Sequence, residues 1–328
     1  VVPGVQILDW LRGAAGPLSG AELARRLGCS RAAVWKQVTA LRRAGYEILG
    51  TPSAGYVLGA GVPDRLGPTE LAPYLRGGWR RVEWRAEIDS TQHLARDLAR
   101  AGAPEGTVVV AESQTGGRGR LGRQWHSPPG VNLYCSLVLR PSVPLAVVPC
   151  LALVAGLAVV DALGEVASLR ASLKWPNDVL VGGRKVAGIL TELEAEVERV
   201  HHVIAGIGVN LNGGADAFPP ELAAKATSVR LASGTAVNRA AFTAGLLAAL
   251  EARYRRFLAD GFTAMRSEWE AHSSLTGKEV RVTAPEGEVT GRVLGIDDDG
   301  SLRLAGPRGE LRVVGGEVTV SGGYRSDG

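Results

Sequence analysis

The chain has 328 residues, 45% of them hydrophobic, with 37 Lys and Arg against 33 Asp and Glu and a net charge of +4. That length supports two or three packed domains, and so small a net charge excludes a protein that coats polyanions in bulk. The three cysteines, Cys29, Cys135 and Cys150, form no C-x-x-C pair and the first residues lack a basic-then-apolar leader, which excludes a zinc knuckle or disulfide scaffold and points to a reducing cytoplasm.

Residues 5–60 read as three helices and a hairpin. Val5, Leu8 and Leu11 form one apolar stripe. Ser19-Gly-Ala-Glu22 is a capping box that opens a short helix, and Gly28 stops it. Ser30 caps a third helix over Arg31–Ala44. Its Val34, Val38 and Leu41 face inward at helical spacing. Arg31, Ala32, Lys36, Thr39 and Arg43 then remain for the outer side, with Trp35 at its edge. Small and basic residues there suit a recognition helix in a DNA major groove. Ile48–Leu58, with the turn Thr51-Pro-Ser-Ala-Gly55, predicts a wing. Seven cations against three acids in this segment account for the whole chain's excess charge, the local field that phosphate binding needs. A winged helix-turn-helix DNA-binding domain is expected over 1–63, although a basic docking domain has the same pattern.

A linker and a short helix, Pro68–Leu75, lead to a strand over Arg81–Ile88. Asp89-Ser90 caps a helix over Thr91–Ala101. Ser90, Thr91 and Gln92 serve as a cap, and a helix start also offers free N–H groups to a polar ligand. A strand over Thr107–Ala111 runs into Glu112-Ser-Gln-Thr-Gly-Gly-Arg-Gly-Arg-Leu-Gly-Arg-Gln-Trp-His-Ser127. Glycine lets backbone N–H groups approach a ligand, and arginine presents forked donors to carboxylate and phosphate. The loop is therefore a candidate polyanion wrap, or a basic surface linker, but neither a P-loop nor a Gly-x-Gly-x-x-Gly turn.

Val131–Leu139 predicts a strand. Val143–Val160 holds 18 residues without a charge, at the edge of membrane-spanning length. Pro144 and Pro149 interrupt it, so a buried core helix is expected and no membrane. Ser172–Trp175 and Val179–Val181 predict strands joined by a turn in which Asn177 and Asp178 are favoured residues. Gly182-Gly183 turns into a strand over Arg184–Glu194, where Lys185 reads as an edge residue. Val200–Val209 is another strand. It sends His201 and His202 to opposite faces, which argues against a shared metal. Asn238–Leu258 is a long helix with Leu246, Leu247, Leu250 and Tyr254 on its core stripe. From Leu275 on, five short strands with Gly-rich turns predict a small barrel.

Three blocks together resemble biotin protein ligases: Gly117 to Trp125, the adenylate-loop pattern Gly-Arg-Gly-Arg-x-Gly-Arg-x-Trp; Lys174-Trp-Pro-Asn-Asp178 followed by Arg184-Lys-Val-Ala-Gly-Ile189; and Ile88-Asp-Ser-Thr91. The resemblance implies an α+β multidomain chain: the winged helix-turn-helix, a mixed-sheet, class II synthetase-like ligase domain over 64–272, and an SH3-like barrel over 273–328. It implies that biotin and ATP are the substrates. Ser90, Thr91, Gln92 and Gln114 would hold the biotin head group. Gly117, Arg118, Gly119, Arg120, Trp125 and Lys185 would line the adenylate site, with Arg118, Arg120 and Lys185 catalytic. Asp178 would help hold Mg²⁺ with the nucleotide phosphates. A biotin carboxyl carrier protein, operator DNA and a second copy in the adenylate-bound state are the implied partners. A lipoate- or octanoate-type ligase and a ligand sensor without ligase activity are the rival readings. The Arg-Arg…Gly-Gly-Gly pattern of the first is not found, and intact Arg118, Arg120 and Lys185 argue against the second.

Overall fold

The computed structural model describes residues 4–51, 54–59, 61, 63–196, 199–284, 287–307 and 309–320. The chain divides into two compact units, Val1–Arg65 and Leu66–Gly328.

The first unit contains α1 (Val5–Gly13), α2 (Gly20–Leu27) and α3 (Arg31–Arg43), then a hairpin of β1 (Ile48–Thr51) and β2 (Gly55–Leu58). Ser19 Oγ accepts from Glu22 N–H and Ser30 Oγ from Ala33 N–H, so both expected caps form. Gly28 closes α2 at φ +62, a conformation that disfavours any side chain. Leu8, Leu11, Leu23, Val34, Val38 and Leu41 make the core. Pro52 and Ser53 of the expected wing turn lie outside the described residues.

In the second unit, α4 (Pro68–Leu71) is one turn long. It ends four residues earlier than its sequence suggests, giving way to a turn at Ala72–Tyr74. Then follow β3 (Val82–Arg85), α5 (Thr91–Arg100), β4 (Val108–Ala111), β5 (Leu133–Leu139), α6 (Cys150–Ala167), β6 (Ser172–Lys174), β7 (Asp178–Val181), β8 (Arg184–Glu196) and β9 (Arg199–Val209). The seven strands form one mixed sheet in the order β3-β4-β5-β9-β8-β7-β6. Only β3 and β4 are parallel among its neighbours. The sheet separates two layers. Leu133, Cys135, Leu137, Leu139, Val203, Ala205 and Ile207 face the main core with α6. Val109, Val138 and Ile204 face Ala95 and Ala99 of α5 on the other side. Period-two alternation therefore sends Ser136, Gly206 and Gly208 to the α5 side.

The apolar run around 143–160 is a core helix displaced toward its C-terminus. Pro149 becomes the N-cap and α6 extends to Ala167, because proline fits a helix start but not its interior. The segment Leu145–Ala167 is long and apolar enough to cross a membrane, yet 67% of its apolar 18-residue stretch is buried within the protein. Asp161, inside α6, is held by Arg253. After α7 (Pro220–Ala223) and α8 (Val229–Ser233), the long α9 (Arg239–Asp260) packs on α6, and α10 (Thr263–Ala271) follows. The last five strands, β10 (Glu279–Ala284), β11 (Gly287–Ile296), β12 (Leu302–Gly306), β13 (Gly309–Val313) and β14 (Glu317–Val320), form one antiparallel sheet in the order β13-β12-β11-β10-β14. Its Val280, Val282, Ile296 and Leu304 join the same apolar core as α6. Residues 285, 286 and 308 of its expected turns, and 321–328, lie outside the described residues.

Candidate functional site

A cavity of about 270 Å³ opens on the α5 side of the sheet. Its floor is made by absent side chains. Gly188 and Gly208 are cross-strand partners, and Gly206 lies two residues along the same face. A Cβ at Gly208 would stand 2.5 Å from the Trp125 ring, and one at Gly206 would stand 2.5 Å from Gln92 Oε1. Glycine spacing in Gly206-Ile-Gly was the sequence signal for this floor. It reads as an ordinary strand until the face is known.

One end of the cavity is polar and uncharged. The side chain of Ser90 caps α5 by accepting from Gln92 N–H. Gln114 Oε1 accepts from Thr91 N–H at 2.9 Å and from Thr91 Oγ1 at 3.1 Å, while its Nε2 donates to Ser127 Oγ. Ser136 Oγ lies 2.8 Å from Thr91 Oγ1 and donates to Gln92 Oε1 at 2.8 Å. Gln92 Nε2 donates to the carbonyls of Leu190 and Ile204. Ser90, Thr91, Gln92 and Ser136 are all buried. Ser136 was not anticipated, since nothing in a hydrophobic strand marks one serine as functional. A buried network of this kind holds each member in one orientation.

The other end is cationic. Lys185 Nζ lies 2.5 Å from Asp178 Oδ1 and 5.4 Å from the Trp125 ring centroid. Arg120 donates to Asn177 Oδ1 at 3.2 Å and to the Gly316 carbonyl at 3.4 Å. Asn177 in turn donates to the Ile189 carbonyl, so it does more than turn the chain. Burial pushes the Arg120 guanidinium below its ordinary pKa, against the pull of Asp178 and Glu317. Lys174, also unanticipated, lines this end, and burial lowers its pKa too. Arg123 pairs with Glu317, whose carboxyl it holds below the usual carboxylate range. Gly316, Glu317 and Val318 thus bring the C-terminal sheet to the cavity wall.

The glycine loop bridges the two ends. Trp125 N–H donates to the Gly117 carbonyl and Gly119 N–H to the Arg123 carbonyl. A Cβ at Gly117 would meet the Trp125 carbonyl at 2.4 Å, so only glycine fits there. Gly119 meets nothing closer than 3.4 Å; its place in the loop is not dictated by crowding. At the tip, Leu121 adopts φ 55 and is 72% exposed. Arg118, at the cavity edge, pairs with Glu192 of β8 at 2.9 Å. Among the described residues no three His, Cys, Asp or Glu side chains gather as a metal cluster. In the first unit, Arg31, Ala32, Lys36 and Arg43 are exposed on α3 and Thr39 is half-buried. Trp35 is 57% exposed beside them.

Against known proteins, residues 84–210 match the biotin/lipoate A/B protein ligase family, 5–57 an HTH domain and 275–321 the biotin protein ligase C-terminal domain. The chain is 41% identical over 305 residues to the bifunctional ligase/repressor BirA of Bacillus spizizenii, covering 92% of this chain and 94% of that protein. The chain belongs to the biotin protein ligase family. A second family member, the biotin–[acetyl-CoA-carboxylase] ligase of Paracoccus denitrificans, is 40% identical across 72% of this chain and 99% of its own. Among solved structures, the biotin protein ligase from Aquifex aeolicus in complex with biotin and ATP superposes with a TM-score of 0.65 at 32% identity, covering 74% of this chain and 98% of that one. Both leave roughly a quarter of this family member unmatched, whereas the Bacillus ligase/repressor matches along nearly its full length.

Proposed function

We infer that the protein is an ATP-dependent biotin protein ligase and a biotin-responsive transcriptional repressor. The observation that carries the ligase reading is the two-ended cavity, with an uncharged donor-and-acceptor network at one end and Lys174, Lys185 and Arg120 at the other. Ser90, Thr91, Gln92 and Gln114 orient the ureido head group of biotin, which needs fixed donors and acceptors. The biotin carboxylate then lies toward the cations. Its oxygen bonds to the α-phosphorus of ATP as the bond to pyrophosphate breaks, giving biotinyl-5′-AMP. A deprotonated lysine amine of a biotin carboxyl carrier protein next attacks the acyl carbon, AMP leaves, and the amine gives up its second proton. Arg120 and Lys185 neutralise charge in the first step, and Arg118 supports the loop that shields the anhydride. Trp125, Gly117 and Gly119 shape that enclosure.

Mg²⁺ fits this site in one way. Asp178 offers a carboxylate at the cationic end, and Mg²⁺ typically uses one or two carboxylates beside waters and substrate phosphates. Asp178 would hold the ion, which supplies charge neutralisation on the phosphates. The domain limits we adopt are 1–63, 64–272 and 273–328. Arg31, Ala32, Lys36, Thr39 and Arg43 contact operator DNA, and the adenylate-bound chain pairs as a homodimer on a two-fold operator. We assign the reaction to the cytoplasm.

Mixing the protein with biotin, Mg·ATP and a carrier domain tests the ligase reading. A carrier mass increase matching one biotinyl group is expected. An increase with lipoate and none with biotin would replace it with the lipoate-type reading. For the repressor, a gel shift on operator DNA should tighten with biotin plus ATP; an affinity indifferent to both rejects it.

A further inference from the structure

One charged cluster lies beside the cavity and ties the glycine loop to the helix that carries the head-group residues. Arg118 Nη1 reaches Glu192 Oε1 on β8 at 2.9 Å and also His93 Nε2 on α5 at 3.3 Å. His93 Nδ1 lies 2.6 Å from Asp89 Oδ2. Arg96 Nη1, one turn further along α5, stands 3.8 Å from Glu192 Oε2. Among the described residues, the charged neighbours that face His93 or its arginine partner are Asp89 before α5, Arg96 on α5, Arg118 on the loop and Glu192 on β8.

One tautomer of the imidazole satisfies both contacts. Arginine has only donors, so a hydrogen bond from Arg118 requires a lone pair on His93 Nε2. The ring proton must then sit on Nδ1 and point at Asp89. The Asp89 carboxyl is held below its usual pKa chiefly by its bond to His93. With the proton on Nδ1, Asp89 orients the ring and Nε2 is left to accept from Arg118.

We propose that His93 is a positioning residue that, together with Glu192, fastens Arg118 and with it the glycine loop over the bound adenylate, and that the fastening holds only while His93 is neutral. Protonation turns Nε2 into a donor facing a guanidinium, so one hydrogen bond is lost and two cations meet. Glu192 still holds Arg118, which makes the device a weakening of the closed loop rather than its removal. Asp89 and His93 immediately flank Ser90–Gln92, so the fastening is built on the segment that would sense the head group. The inference rests on the ligase reading above.

The test follows release of the adenylate. Full-length protein carrying radiolabelled biotinyl adenylate is chased with excess unlabelled biotin and ATP at about pH 8 and about pH 6, and retained label is counted. The wild type should release label about two- to fivefold faster at the lower pH, the size expected for a partly exposed charged contact. His93→Gln keeps an uncharged acceptor and should abolish that ratio. Glu192→Gln should speed release at both pH values and keep the ratio. A histidine that merely packs α5 would alter thermal stability and leave the pH ratio in place after His93→Gln. Equal wild-type release at the two pH values, or a ratio that survives His93→Gln, overturns the proposal. Failure to form any adenylate overturns both this inference and the ligase reading, and the carrier-labelling assay separates that result from the others.

Discussion

The two ends of the cavity solve different problems. At the head-group end, Thr91, Gln92 and Ser136 are buried, Gln114 is half-buried, and the four are bonded to one another. Each already has its orientation before any ligand is considered. At the cationic end, Lys185 pairs with Asp178 and Arg123 with Glu317. A phosphate arriving there finds cations whose partners are protein carboxylates. Binding at the first end adds contacts to a fixed frame. At the second end it exchanges one anion for another, so the net gain is the difference between two ion pairs. The uncharged end should thus set recognition, and the charged end should act most strongly where charge develops during reaction.

Lys185→Ala should have the largest effect. A group that stabilises charge formed in the transition state lowers kcat by about 10²–10³-fold when removed. The biotin KM should change little. Pyrophosphate exchange measured against biotin and ATP separately checks this, and a loss confined to the biotin KM would erase the contrast between the ends. Gly206→Ala comes next and acts at the other end. Its Cβ would lie 2.5 Å from Gln92 Oε1. Overpacking of this kind costs about 1–3 kcal/mol, or roughly 5–150-fold in affinity. The loss should fall on biotin and spare the ATP KM.

Elements and site were legible in the sequence to different depths for physical reasons. Caps such as Ser19 and Ser30, stops such as Gly28 and strands of period two are local rules, and those elements formed near their expected bounds. The loop and the Lys174–Asp178 block were legible because their residue types and order are specific. Ser136 and Gly206 were not. Their importance comes from register, which places Ser136 opposite Gly206 beneath the side chain of Gln92; no pattern within either strand carries that. Lys174 was visible inside its block but had no role until its burial was known. The helix α6 starts at Cys150 rather than near Val143 because Pro149 fixes the first turn, a constraint that apolar content alone does not express.

Ser136→Ala sharpens the comparison with a smaller change. It deprives Gln92 Oε1 and Thr91 Oγ1 of a buried partner. One hydrogen bond of this kind contributes about 1 kcal/mol, roughly fivefold in affinity. Direct biotin binding by calorimetry should weaken by that factor while ATP binding holds. An unchanged biotin affinity would mean the network supports the fold rather than recognition.

The mildest prediction concerns pH and sets activity against stability at the charged end. Burial lowers the Lys174 pKa from 10.5, opposed by Asp178 and Glu317. Lys174 therefore loses its proton in the folded chain at a pH where the unfolded chain still keeps one. In that window the unfolded state binds more protons, so this group's contribution to stability grows as pH rises and is lost as pH falls through the folded value. Activity has the opposite sign, because the deprotonated amine no longer attracts phosphate. An alkaline fall in kcat/KM for ATP is thus expected to begin below the ordinary lysine range, without a matching drop in Tm from this group. Lys174→Arg keeps the charge far above that range and should move the fall to higher pH while leaving the biotin affinity alone. If the fall stays in place in Lys174→Arg, the charge of Lys174 is not used on the nucleotide, and Arg120 and Lys185 carry the cationic end by themselves.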